Sequence, residues 1–460
     1  MFLVVVLLSL SGCDLLSSNS LDVGIKPTLV AGKPPLSVQF EAVVPGTAKP
    51  PISYRWDFGD AQSDLGNPAS HRYIAAGAYE VTLIVTDARG NLGKAEHVVK
   101  VVDFSRHSET LPAGIGAALS ADFDQDGRPD LAVASRIRGD IALFMAQDNG
   151  DFVLSKTIGN GRNFSDLVTA DFDDDGVVDL AASDLVNSVI WVFTGNGKGA
   201  FKDPFRAPIF LENFQVASGP QALAVGDFNG DGFADVATAN QATDNVSVLL
   251  GDGQGRLALA HVFKPHSIGD LVRVRAVDVD QDGLDDLVVL NQTSAQAEVF
   301  LGRGDGTFVF HLEVATGEMP EDVIVDDLDR DGYADIAVAN AVGRDISLWW
   351  GRSNARFDSP GRWPTGVTVN RLSASDVDGD GQLDLVALDQ ASGQLAVILA
   401  QGTQRTLRSV RAFERPFSFV LGAPLDSLYA NDLNQDGQAD LVLTEPAGEV
   451  DVLLNLTPEP

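Results

Sequence analysis

The chain has 460 residues and is 45% hydrophobic, enough for two or three domains with sizeable cores. Its net charge of −33 weighs against nucleic acid and anionic membrane surfaces as partners. A single cysteine, Cys13, excludes an intrachain disulfide.

Phe2 to Leu10 is an apolar run, too short to span a bilayer, and reads as the core of a signal peptide over residues 1–12. It ends in Leu10-Ser11-Gly12-Cys13, which resembles a bacterial lipobox. The resemblance implies cleavage before Cys13, lipidation of its thiol, and a mature protein tethered to the periplasmic or outer face of the cell envelope. No Lys or Arg precedes the run, a departure from the pattern that leaves a start codon upstream of Met1 open. Residues 13–22 then form a short, Ser-rich tether.

Residues 23–102 carry strand-like alternation in "LSVQFEAVV" and "YEVTLIVTD", with turn signals between them. Trp56-Asp57-Phe58-Gly59-Asp60, followed by Gly77, Tyr79, Val81 and Asp87, resembles a PKD domain, which implies an immunoglobulin-like β-sandwich. Trp56 and Phe58 are expected in its core, with Asp57 and Asp60 setting a turn.

From residue 103 the sequence repeats. "DFDQDGRPD" at 122–130 recurs at 171–179, 227–235, 278–286, 327–335, 376–384 and 432–440, with starts 49 to 56 residues apart. An apolar strand follows each motif, then a second strand, a Gly-rich turn such as "GDGQGRL", and a third. With the strand that leads into the next motif this makes four per repeat, the content of a propeller blade. The last repeat lacks its final strand. Residues 103–114 align with 151–161, so the stretch 103–111 is expected to complete the seventh blade and close the ring over residues 103–460. The fold class expected is all-β, a β-sandwich followed by a seven-bladed propeller.

The repeated motif reads D-x-[DN]-x-[DN]-G-x-x-D. Alternate oxygens in a tight loop suit Ca²⁺, which takes six to eight oxygen ligands. The side chains expected to hold it are Asp122, Asp124, Asp126 and Asp130 in the first loop, and Asp171, Asp173, Asp175 and Asp179 in the second. The third offers Asp227, Asn229, Asp231 and Asp235, and the fourth Asp278, Asp280, Asp282 and Asp286. Asp327, Asp329, Asp331 and Asp335 follow, then Asp376, Asp378, Asp380 and Asp384, then Asp432, Asn434, Asp436 and Asp440. Position six is Gly throughout, for a turn with φ > 0. The carbonyl of position seven would complete each shell: Arg128, Val177, Phe233, Leu284, Tyr333, Gln382 and Gln438. An EF-hand is excluded, because position twelve holds Val133, Ala182, Thr238, Val289, Val338, Ala387 or Leu443 instead of Glu.

These repeats resemble FG-GAP/VCBS repeats, the units of the seven-bladed propeller of integrin α-subunits and many bacterial surface proteins. The resemblance implies Ca²⁺ in the loop between the first two strands of each blade, up to seven ions in a stabilising role.

No catalytic motif is present: there is no G-x-S-x-G, H-E-x-x-H or phosphate loop. The expectation is a non-enzymatic, monomeric binding or adhesion protein that recognises a protein or polysaccharide and meets the membrane only through its lipid. The alternatives are a polysaccharide lyase on a propeller scaffold and an architectural subunit of an envelope complex. Phe210 and Phe214 in the stretch 205–221, and Phe413 and Phe417 in 413–428, are candidate partner contacts on long loops. Two Arg-Gly-Asp tripeptides, at 138–140 and 303–305, are read as coincidences of a Gly- and Asp-rich chain.

Overall fold

The computed structural model describes residues 20–29, 31–110, 115–147, 151–209, 218–267, 269–358, 361–400, 413, 415–421 and 424–457. The signal segment, Cys13, Phe210 and Phe214 lie outside them. The chain divides into two compact units, Met1–Val101 and Val102–Pro460.

The first unit packs a three-stranded sheet (Gly24–Pro27, Leu36–Val43, Ala69–Tyr73) with a five-stranded sheet built around Ser53–Asp57, Gly77–Thr86 and Leu92–Val101. Alternation in Leu36–Val43 sends Leu36, Val38 and Phe40 inward, where they join Trp56, Phe58 and Tyr73. The Trp56 indole donates to the Gly66 carbonyl at 2.8 Å, so its one polar atom is satisfied. Asp57 accepts the Gly59 N–H and Asp60 the Gln62 N–H, both at 3.1 Å, which fixes the turn after the strand.

The second unit consists mainly of seven four-stranded antiparallel sheets. The first strands are Ile115–Ala121, Phe164–Ala170, Pro220–Gly226, Leu271–Val277, Pro320–Asp326, Arg371–Ser375 and Ser427–Asn431. Each touches the first strand of the next blade, and that of the seventh touches that of the first, so they ring a common axis. The second strands, such as Asp130–Ser135 and Asp335–Asn340, are buried along their whole length because a neighbouring blade covers each face. That is why they read as apolar runs instead of alternating. The fourth strand of the first blade, Phe152–Ile158, is mostly exposed.

The ring closes with the N-terminal strand Phe104–Thr110, which pairs with Glu449–Asn455 as the outer strand of the seventh blade. A buried ion pair fastens it. Arg106 donates through Nε to Asp451 Oδ1 at 2.8 Å and through Nη2 to Oδ2 at 2.7 Å, and Ser108 Oγ lies 2.6 Å from Oδ1. Asp451 has no exposed surface. Arg106→Ala would leave this carboxylate buried without its cation. The expected loss is about 3 kcal/mol, the low end for a broken buried pair, because Arg106 itself keeps 35% of its exposure. A urea titration of the purified propeller checks it; an unchanged midpoint would mean that the pair does not fasten the ring.

Candidate metal centres

Each acidic motif forms the hairpin loop between the first and second strands of a blade, with position nine as the first residue of the second strand. These seven Asp (Asp130, Asp179, Asp235, Asp286, Asp335, Asp384 and Asp440) are at most 1% exposed. Each carboxylate clamps two backbone segments. Oδ2 accepts the N–H of position two at 2.8–3.0 Å. Oδ1 accepts an N–H at or just past the end of the third strand, from Ala146, Gly195, Gly251, Gly302, Gly351, Ala400 or Asn455, at 2.6–2.8 Å. Position two is always apolar and buried: Phe123, Phe172, Phe228, Val279, Leu328, Val377 and Leu433. The sequence carried this signal, an apolar residue between two acids in every copy, yet the clamp itself was missed.

The loop interior is organised by the other acids. Position one accepts the N–H of position five at 3.0–3.2 Å and that of position six at 2.6–2.9 Å in all seven loops. Position five accepts the N–H of position seven at 2.9–3.1 Å, from Arg128, Val177, Phe233, Leu284, Tyr333, Gln382 and Gln438. Gly at position six has φ between 79° and 92°, as expected. Position four is left-handed as well, at Gln125, Asp174, Gly230, Gln281, Arg330, Gly379 and Gln435, although only two of these are Gly.

Five loops bring three carboxylate oxygens within 4.8 Å of one another. The groups are Asp122, Asp124 and Asp130; Asp171, Asp173 and Asp179; Asp278, Asp280 and Asp282; Asp327, Asp329 and Asp335; and Asp376, Asp378 and Asp384. Positions one, three and nine therefore converge in four of the five. Position five joins only in the fourth loop, and in four of the others a side-chain donor holds it. Arg128 pairs with Asp126, Arg352 Nη1 reaches Asp331 at 2.9 Å, and Lys202 lies 2.8 Å from Asp173 and 3.8 Å from Asp175. In the third and seventh loops the amides of Asn229 and Asn434 donate to Asp231 and Asp436 at 2.8 and 3.0 Å.

The donor set fits a hard divalent cation: it is all oxygen, and carboxylates this close repel. Burial pushes the carboxyls of Asp130, Asp179, Asp235, Asp286 and Asp440 up to about 6, neighbouring acids push in the same direction, and the two N–H donors pull back. Asp384 is raised well above the ordinary range, by burial first and Asp378 next. In the second loop Oδ1 of Asp173 is buried without a hydrogen-bond partner, an acceptor that a cation would satisfy.

Phe413 and Phe417 are placed otherwise than on contact loops. Phe413 is only 9% exposed and sits in the core cluster of the fifth and sixth blades, stacked on Trp350 at 6.3 Å. The length of the stretch concealed that it returns to the core. Phe417 belongs to the outer strand Phe417–Val420 and packs on Phe419 at 5.9 Å, half-buried. In the first Arg-Gly-Asp tripeptide Asp140 is buried and paired with Arg138 at 2.6 Å. In the second, Asp305 accepts the Thr307 N–H within a hairpin turn.

The clamp and the metal shell are separable. Asp286→Ala removes the acceptor of the buried Val279 N–H and of the partly buried Gly302 N–H, and is expected to cost about 3 kcal/mol even in EGTA. Asp280→Ala removes a converging oxygen and is expected to cost stability chiefly when Ca²⁺ is present. Denaturant titrations of both variants, with and without Ca²⁺, check the pair; equal losses in EGTA would defeat the distinction.

The FG-GAP-like repeat pattern matches residues 122–182, 181–238, 227–289, 278–338, 327–387 and 376–443, and the PKD domain pattern matches 26–102. Collagenase ColA of Clostridium perfringens (strain 13 / Type A) is 41% identical over 51 residues, 11% of this chain and 5% of that protein. Microbial collagenase of Vibrio alginolyticus is 38% identical over 61 residues, 13% of this chain and 7% of that protein. The chain thus matches only 5–7% of the length of these relatives. A solved structure described as "Crystal structure of BBS1N in complex with ARL6DN, soaked with lead" superposes with a TM-score of 0.54 at 9% identity, over 77% of this chain and 96% of that one, a likeness of fold. The repeats span well over half of the sequence, so the chain belongs to the FG-GAP-like repeat family, a β-propeller preceded in sequence by a PKD domain.

Proposed function

We propose that the protein is a calcium-stabilised binding or adhesion module of the bacterial cell envelope, held there by a lipid on Cys13. It acts by binding a protein or polysaccharide, without catalysis. The observation that carries the calcium reading is the convergence of three carboxylate oxygens in five separate loops. Ca²⁺ would be held by positions one, three, five and nine with the carbonyl of position seven, in up to seven loops, the two Asn-bearing loops included. In a chain without disulfides, ions of this kind supply stability that the core alone does not.

Sites of extracellular type bind Ca²⁺ at roughly 10⁻⁴–10⁻³ M. At free Ca²⁺ ten times Kd each adds about 1.4 kcal/mol. Thermal melts in EGTA, in millimolar Ca²⁺ and in Mg²⁺ are expected to show an upward shift on the order of 10 °C that Mg²⁺ does not reproduce. No shift would remove the calcium reading. Incubation with uronate polymers is expected to give no rise in absorbance from unsaturated product; a rise would replace binding with lyase activity.

The anchor has its own test. In a bacterial host the full chain is expected in the membrane fraction, and Cys13→Ser is expected to move it to the soluble fraction. Equal partitioning of the two would remove the lipid anchor and leave the calcium reading standing.

A further inference from the structure

The seven first strands surround a cavity of about 440 Å³, lined by residues from every blade. This is within the range of small-molecule pockets, roughly 300–1,000 Å³. Four guanidinium groups line it in a chain with an excess of 33 negative charges: Arg136, Arg273, Arg275 and Arg371. Arg371 is the first residue of its strand, Arg273 the third of its own, and Arg136 follows the end of a second strand. All three positions lie towards the end of the channel opposite the acidic loops, since those loops follow the last residue of each first strand.

The arginines are unequally paired. Asp322 takes Arg273 Nε at 2.9 Å and Arg275 Nη2 at 3.3 Å. Each of Arg273, Arg275 and Arg371 also donates Nη1 to the carbonyl of the residue before it, at 2.8–3.1 Å, which fixes the fork sideways. Arg371 then has Glu321 at 4.0 Å, beyond hydrogen-bond reach, and that carboxylate already accepts the Asn370 amide at 3.1 Å. Arg136 makes no ion pair among the described residues. Burial, and after it the repulsion of Arg273, hold Arg371 down at about 10, so its charge is poorly compensated. Asp166 and Asp322 also line the cavity; Asp426 interacts electrostatically with Arg136 and Arg371. The cavity thus presents both signs of charge, and it is also lined by the neutral groups of Thr169, Gln221 and Tyr429.

A bare anion would use the guanidinium groups and leave the neutral groups idle, while Asp322 stays on Arg273 and Arg275 and Asp166 accepts, among the described residues, only the Leu167 and Leu223 N–H groups. A neutral sugar would leave Arg371 uncompensated. We infer that this pocket binds a sugar acid, its carboxylate on Arg371, Arg275 and Arg136 and its hydroxyls on Asp166, Gln221, Thr169 and Tyr429. Planar forks suit a carboxylate bidentately, and hydroxyls both donate to acids and accept from amides. This extends the binding reading above to a ligand class, and it is tested separately from calcium.

The experiment is isothermal titration of the Ca²⁺-supplemented protein with D-galacturonate and D-glucuronate, against D-galactose, D-glucose and acetate. Binding of at least one uronate, at least tenfold tighter than its neutral parent and than acetate, is expected. Arg371→Gln, and independently the exposed Arg136→Gln, should each weaken it at least tenfold while the melt and its Ca²⁺ shift stay as in the parent protein. Arg273 is left intact because it holds Asp322. No uronate binding at 10 mM (a concentration about tenfold above a millimolar Kd), equal binding of acetate, or binding that both variants retain would each overturn the proposal. None of these outcomes bears on the calcium shift, so the two readings fail separately.

Discussion

A buried carboxylate at the start of every second strand holds the propeller's acidic rim together. Each of these Asp residues joins its own loop to the end of the third strand, through two N–H donors that, as in the second blade, would otherwise be left unpaired in buried or partly buried surroundings. The clamp also fixes the apolar residue at position two, whose side chain enters the core between blades. With position two pointing in, positions one and three flank it and turn their carboxylates towards position nine. The converging oxygens are thus a consequence of how the hairpin is anchored. Burial of the clamp makes its charge costly, as the rise to about 6 records, and a cation among the oxygens removes that cost.

The repeat was legible because its physics is local. A strand buried on both faces must read as an apolar run, and a loop that needs φ > 0 at position six must carry Gly there. Position four was not legible: Gln125, Asp174, Gln281, Arg330 and Gln435 adopt left-handed backbone without the residue that would announce it. The motif presents position five as a ligand equal to the others, yet in four loops a donor holds it, from the loop itself as with Asn229 on Asp231 or from the next hairpin as with Arg352 on Asp331. Phe413 shows the reverse error, since the length of a segment says nothing about whether its end returns to the core. The arginines of the channel were invisible for a further reason. They stand on different blades, and nothing in a period of about fifty residues says that Arg273 and Asp322 meet across the axis-facing strands.

The loops are also joined to one another. The side-chain amide of Gln125 donates to the Gly176 carbonyl of the next loop at 3.1 Å, and Gln281 reaches Gly332 in the same way. Gln435 does so across the closure, to Gly127. The donor stands at position four and the acceptor at position six, the two left-handed positions of the loop. The left-handed turn at four gives its side chain this reach, which accounts for Gln at a position where Gly would cost less strain.

The closure between the first and last blades is therefore held at two places, the outer strand and the acidic rim. At the outer strand Arg106 and Ser108 meet Asp451, and at the acidic rim Gln435 meets Gly127. Both links join segments more than 300 residues apart, so neither can form before nearly all of the ring has been made. Their contact is bought with a large loop-closure entropy, which grows only slowly with length and is shared by every blade once the ring is complete. A break at either link reopens the same closure, so its cost falls on the whole ring. The acidic loops and the closure are for this reason coupled: whatever orders the first loop also orders the Gly127 carbonyl that Gln435 of the seventh loop meets.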